Sequence, residues 1–160
     1  MGLGIAHPET GATARWWWVG CHGGAGTSTL HAAVGRDTRE AGQYWPVPRT
    51  AGVRHQVVLV ARSHAYGLQA AQRAARQWAS GSVPGVELLG LVVIADAPGN
   101  LPRPLRDLMR LVSGGVARSW SVPWIEEWRL GEPPAEYLPR ELQRVARDLA
   151  RLTEAGSHHA

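Results

Sequence analysis

Trp16-Trp17-Trp18-Val19-Gly20-Cys21-His22-Gly23-Gly24-Ala25-Gly26-Thr27-Ser28-Thr29-Leu30 is the stretch on which the fold turns. Trp16 to Val19 is short, aromatic and β-branched, and it stops at Gly20, which predicts a strand. Alternation along that strand sets Trp17 on the face opposite Trp16 and Trp18, so both faces of its sheet must be covered. Gly20 to Gly26 reads as a glycine-dense turn. Thr27-Ser28-Thr29 then opens a short helix through Leu30, Ala32, Ala33 and Val34, with Gly35 as its stop.

A turn of this kind between a strand and a helix has a chemistry. A phosphate needs several backbone N–H groups converging on it. Glycine reaches the required backbone angles and lets the chain come close. The helix N-terminus adds unpaired donors and partial positive charge. The hydroxyls of Thr27, Ser28 and Thr29 add donors, or one magnesium ligand. The same turn can also exist as a tight connection with no ligand.

Outward from the loop, Arg36 to Gln56 is polar and broken by Gly42, Pro46, Pro48 and Gly52. It reads as a crossover loop with one short edge strand near Tyr44 to Val47. Val57 to Ala61 is a continuous apolar run, as in a parallel strand buried on both faces. Gly67 to Ala79 has helical periodicity. Leu88 to Ala95 is a second buried strand, followed by Asp96-Ala97-Pro98-Gly99. Pro104 to Val112 is a helix, Val116 to Val122 a last strand, and Pro139 to Leu152 a helix with apolar residues at 3–4 spacing. Strands alternating with helices predict one α/β domain, a mainly parallel sheet covered by helices, over 15–153. Residues 1–14 read as a flexible lead-in without the features of a secretory signal, and 154–160 as a flexible tail.

The 160 residues suffice for one domain with a real core. The net charge of +4 comes from arginine alone, since the chain has no lysine. The arginines scatter along amphipathic helices, which disfavours nucleic acid as the partner. No apolar run is long enough to span a membrane. A single cysteine, Cys21, fits a reducing, cytoplasmic compartment.

His22-Gly23-Gly24-Ala25-Gly26-Thr27-Ser28-Thr29 resembles the deviant Walker A loop of the ParA/MinD-type ATPases, Lys-Gly-Gly-x-Gly-Lys-Thr/Ser-Thr. It is most similar to the atypical pilus-positioning (Tad/Cpa) branch, in which the second lysine is also replaced. The resemblance implies a reduced three-layer P-loop NTPase-like domain that binds ATP or ADP with magnesium. On that pattern Ser28 takes the magnesium position, Thr27 the place of the phosphate-holding lysine, and His22 that of the signature lysine. Gly23, Gly24, Ala25, Gly26 and Thr29 complete the implied nucleotide contacts. The phrases Gly20-x-His22-Gly23-Gly24-Ala25-Gly26-Thr27-Ser28-Thr29-Leu30, Ala95-Asp96-Ala97-Pro98-Gly99 and Pro123-Trp124-x-x-x-Trp128-Arg129-x-Gly131-Glu132-Pro133-Pro134 also resemble the recurring text of an actinobacterial domain of unknown function.

The departures shape the expectation. Without lysine, the charge that holds β- and γ-phosphates is missing, which costs several kcal/mol of transition-state stabilisation by analogy with other preorganised contacts. The spacing also lacks the usual switch aspartate. Asp96 has three readings: a turn residue, a Walker B-like magnesium ligand, or a base contact. His22 is either a solvated loop histidine or, protonated, a partial lysine substitute. Arg62, just past the Val57 strand, is a candidate to reach a phosphate.

Gly20-x-x-x-Gly24-x-Gly26 also resembles the short-chain dehydrogenase fingerprint. The missing lysine removes the catalytic pair of that family and leaves a plain dinucleotide binder with Asp37 or Glu40 on the ribose. Trp120, Trp124 and Trp128 at four-residue spacing would form one aromatic face if helical, serving either core packing or a partner. The expectation is therefore a degenerate P-loop nucleotide-binding protein, a pseudo-ATPase or very slow ATPase. It would act as an adaptor or positioning factor for a protein partner or as a homodimer. The alternative is a structural interaction module with a vestigial loop.

Overall fold

The computed structural model describes residues 2–131 and 138–157, with side chains to Glu154. Its centre is a five-stranded, wholly parallel sheet formed by β2 (Trp17–Gly20), β3 (Arg39–Glu40), β5 (His55–Arg62), β6 (Val86–Ile94) and β7 (Ser119–Val122). The spatial order is β3-β2-β5-β6-β7. The first strand of this sheet lies between the second and the third, so the chain reverses its direction of travel at β2. This is a doubly wound order, and ligands of such sheets bind outside the carboxyl ends at the reversal.

The tryptophan run explains why β2 is an interior strand. Trp17 and Val19 join Val57, Leu59, Leu91 and Val93 on one face, where α2 (Ala65–Ala79) and α3 (Arg103–Gly114) supply Leu68, Ala71, Ala74 and Val112. Trp16 and Trp18 join Val58, Val60, Val92 and Ile94 on the other. There α1 (Thr27–Val34) supplies Leu30, and α5 (Arg140–Ser157) supplies Leu142, Val145 and Leu149. The predicted covering of both sheet faces is thus realised. Alanines on α2 let it lie close to the sheet, and Gly90 on β6 does the same for β7: a Cβ there would stand 2.6 Å from the Arg118 carbonyl and 2.7 Å from the Trp120 ring. A bulge between Val57 and Val58 shifts the β5–β6 register next to this contact.

Several expectations are corrected. The crossover stretch holds two strands: β3, which the sequence reading omitted, and β4 (Tyr44–Pro46). β3 is two exposed charged residues, so neither periodicity nor apolarity marks it. It exists because Arg39 and Ala41 donate N–H bonds to the Trp16 and Trp18 carbonyls. β4 is not an edge of the main sheet. It pairs in parallel with β1 (Gly4–Ala6), within the stretch read as a lead-in. Gln77 of α2 ties that stretch down, accepting from Leu3 N at 2.7 Å and donating to Leu3 O at 2.8 Å.

The tryptophan triplet at four-residue spacing does not form one helical face. Trp120 is on β7, Trp124 precedes α4 (Glu126–Arg129), and Trp128 is in α4. Trp120 is buried and donates to Asp148 at 2.9 Å, while Trp128 packs on the α1/α5 side of the core. α5 continues past Leu152 to Ser157, into the stretch expected to be a tail, and residues 158–160 lie outside the described residues. No helix of the described residues is long and apolar enough to cross a membrane.

Candidate functional site

The carboxyl ends of β2 and β5 meet at the glycine loop. His22, Gly23, Gly24, Ala25, Gly26, Thr27, Ser28 and Thr29 line one cavity of about 350 Å³, together with Gly20, Gly42, Gln43 and Arg62. The loop is pinned below by Gly20 N donating to Gly42 O at 2.8 Å and Cys21 N donating to Val60 O at 2.9 Å. Above those two bonds the pairing stops. Among the described residues, no acceptor meets the backbone N–H groups of His22 through Thr29, and regular α1 bonding resumes with Leu30 N to Gly26 O. Backbone donors are rarely left unmet. The residues that carry them line the cavity.

Glycine is required at one point of this loop. Gly26 caps α1 with φ 107°, and a Cβ there would lie 2.6 Å from Ile94 Cδ1. Gly24 is also left-handed, with φ 73°.

Both readings of His22 are corrected. Its side chain is buried, not solvated. Nε2 accepts the Arg62 backbone N–H at 3.0 Å, so the ring proton sits on Nδ1 and is donated to Gly23 O at 2.8 Å. A neutral ring is therefore built into the structure. Burial lowers its pKa from the ordinary 6.5, and nearby His64 and Arg62 act in the same direction against the Gly23 bond and Asp96. His22 clamps the loop to the end of β5 and supplies no cation.

The cation is Arg62. Its Nε–H donates to Gly24 O at 3.2 Å, which lays the guanidinium against the glycine loop. Burial draws its pKa down and Asp96 draws it back up, but a guanidinium stays charged in proteins. Opposite it, Ser28 Oγ donates to Glu40 Oε1 at 2.8 Å. The hydroxyl expected at the magnesium position thus has a carboxylate partner, at the end of the short strand that the sequence reading omitted.

One hydroxyl and one carboxylate beside the loop would suit magnesium carried in on phosphates, since that ion keeps several waters and takes one or two carboxylates. Among the described residues, no group of three or more His, Cys, Asp or Glu side chains is placed to hold a metal by itself. Cys21 is no nucleophile: it is buried, and burial pushes its thiol up to about 12.

Asp96 stands apart from this cavity. It lines a neighbouring cleft of about 550 Å³, and its backbone N–H donates to Ser63 Oγ at 3.0 Å. Asp37 is not among the residues lining the loop cavity; it holds Arg15 N through its carbonyl at 2.8 Å on the far side of β2.

Residues 14–148 match the sequence profile of DUF6668, described as a family of unknown function. The chain belongs to the DUF6668 family. No curated protein and no solved structure matches it. The DUF6668 region spans the whole central sheet, the glycine loop, Glu40, Arg62 and Asp96.

Proposed function

We propose that this DUF6668 protein binds the phosphate groups of a nucleotide, ATP or ADP with magnesium, on the glycine loop, and binds it without efficient turnover. The reading rests on one observation: the residues from His22 to Thr29, whose backbone N–H groups meet no acceptor among the described residues, line one cavity with Arg62. Arg62 supplies in cis the positive charge that the loop lacks for want of lysine, and a guanidinium matches phosphate geometry in a bidentate way. Ser28 and Glu40 would hold the magnesium ion through the phosphates. The ion so held would supply positive charge against that of the phosphates.

The loop is thus read as a degenerate P-loop of the atypical ParA/MinD kind, with its cation moved from the loop to the neighbouring strand end. A protein that binds without turnover acts through what it presents to others. The role that follows is an adaptor or positioning factor whose contact with a protein partner, or with a second copy, responds to nucleotide.

A second reading has an observation of its own. Glu40 ends the strand beside the loop strand, where dinucleotide-binding folds carry the acid that holds the ribose. NAD is therefore the competing ligand.

Thermal unfolding with added ATP, ADP, NAD and tripolyphosphate, each with and without magnesium, separates these. A ligand at a hundred times its dissociation constant adds about 2.7 kcal/mol to the native state. A shift with ATP and ADP without phosphate release supports the pseudo-ATPase. A shift with NAD alone supports the dinucleotide reading. No shift with any of them overturns both and leaves the interaction module with a vestigial loop.

A further inference from the structure

We propose that the furrow between the last turns of α2 and α3 is a docking site for an acidic segment of a partner protein, one whose carboxylates flank an apolar side chain. The furrow encloses about 490 Å³ and is lined by Ala75, Arg76 and Ala79 of α2 and by Arg110, Leu111 and Gly114 of α3. Both helices follow strands of a parallel sheet and run back from its carboxyl edge, so their last turns stand at its amino edge. Along α2 that is about 15–20 Å from the glycine-loop end, at 1.5 Å per residue. This surface is separate from the nucleotide site and does not depend on it.

Side-chain size opens the furrow: Ala75 and Ala79, one turn apart on α2, and Gly114 on α3 put little bulk between the two helices. Arg76, Arg110 and Leu111 are exposed, Leu111 at 62%. No carboxylate lines the furrow, and among the described residues neither guanidinium is in an ion pair or a hydrogen bond. Asp107 precedes Arg110 on α3 at the spacing of a helical ion pair, yet the two do not pair. Leu105, Leu108, Met109 and Val112 of α3 pack on the core, and Leu111 does not. A single exposed leucine is ordinary. One that shares a furrow with two unpaired guanidiniums presents apolar surface and positive charge together.

Charge complementarity selects the occupant. Guanidiniums match carboxylates in a bidentate way, and arginine is enriched in protein interfaces. A nucleic-acid backbone would meet the same charge but would leave Leu111 and the alanine surface without an apolar partner. The chain's own acidic helix α4 is a poorer match, because Glu126 is already engaged by Arg129 at 3.8 Å and by the Trp124 indole N–H at 2.7 Å. A segment with free carboxylates on either side of a leucine-like side chain would pair both arginines and cover Leu111.

Fluorescence anisotropy of the full chain with a labelled peptide, Glu-Glu-Leu-Leu-Glu-Glu, tests this. The peptide should bind about tenfold or more tightly than Gln-Gln-Leu-Leu-Gln-Gln or Glu-Glu-Ser-Ser-Glu-Glu. Arg76→Gln, Arg110→Gln and Leu111→Ser should each weaken it by about three- to fivefold, the scale of single exposed contacts. Arg76→Glu combined with Arg110→Glu should lose it and take up Lys-Lys-Leu-Leu-Lys-Lys instead, a gain that also reports a folded variant. No binding of the first peptide below about 1 mM, equal binding of its Gln or Ser form, or an unchanged affinity in the doubly reversed variant overturns the proposal. So does a labelled DNA duplex that binds the wild-type chain more tightly than the peptide and is released by the same reversal, which makes the occupant a nucleic acid. Sedimentation showing self-association that the reversal abolishes also overturns it, and makes the occupant a second copy.

Discussion

Replacing Gly26 with alanine asks whether the loop conformation rests on that glycine. The backbone there has φ 107°, a region in which an L-residue costs about 1–2 kcal/mol. The new methyl would stand 2.6 Å from Ile94 Cδ1. Ile94 is 1% exposed, so its end has no solvent to swing into, and overpacking of this kind costs about 1–3 kcal/mol. The expected loss is about 2–5 kcal/mol, a large share of the 5–15 kcal/mol that holds a typical domain. Two neighbours calibrate it. Gly24→Ala meets φ 73° but no atom within 4 Å, so only the backbone cost of about 1–2 kcal/mol applies. Gly23→Ala has neither a positive φ nor a contact closer than 3.7 Å and should be neutral or slightly stabilising. Urea denaturation of the three variants should rank Gly26 well below Gly24, and Gly24 below Gly23. Equal midpoints for Gly26→Ala and Gly23→Ala would refute the loop geometry on which the anion cradle depends.

Arg62→Gln should weaken tripolyphosphate binding by about 10- to 100-fold, the worth of one charge-assisted bond, and flatten its salt dependence, read by calorimetry at two salt concentrations. His22 gives a pH signature. Its folded pKa lies below the unfolded value of 6.5, so its contribution is complete above that pH and is lost as pH falls toward the folded pKa. The urea midpoint of the wild-type chain should therefore drop on acidification from about pH 7 to 5.5 more than that of His22→Gln, and parallel curves would refute the neutral clamp. Thr38→Val removes the acceptor of the Trp18 indole N–H, 2.9 Å away in the core, and the link to Gly35 O that closes α1. A loss of about 1–3 kcal/mol in denaturant titration is expected, and an unchanged midpoint would mean that the buried indole needs no partner. Leu149→Ala, at a fully buried position where α5 meets the sheet, should cost about 2–5 kcal/mol by the same measurement, and a smaller loss would place α5 outside the core.

Much of the architecture was legible because it rests on local pattern. The apolar runs Val57–Ala61 and Leu88–Ile94 are long enough to be buried strands whatever surrounds them, and the glycine-dense stretch between Val19 and Thr27 is disfavoured inside a helix or a strand and so reads as a turn. Trp16-Trp17-Trp18 foretold two covered faces through alternation alone. The parts that were not legible are those held by partners distant in sequence. Arg39–Glu40 carries no strand signal and pairs only because β2 offers its free edge. Gly4–Ala6 is a strand only where β4 lies alongside.

The loop residues from His22 to Thr29 were named from sequence because glycines, a preceding strand and following hydroxyls are a local constellation. Their setting was not. His22 in isolation is an ordinary titratable ring, and only the fold brings it against the Arg62 amide and the Gly23 carbonyl that fix it as neutral. Arg62 is one arginine among many until β5 lies next to β2 and its side chain reaches Gly24, 38 positions away in the chain. Sequence by itself determined that a strand ends in a glycine-rich turn opening a helix, because that follows from side-chain size and backbone freedom. Tertiary structure alone decided which charge stands beside that turn and which carboxylate meets Ser28, because Coulomb and hydrogen-bond partners are set by distance in space, and strand order fixes those distances.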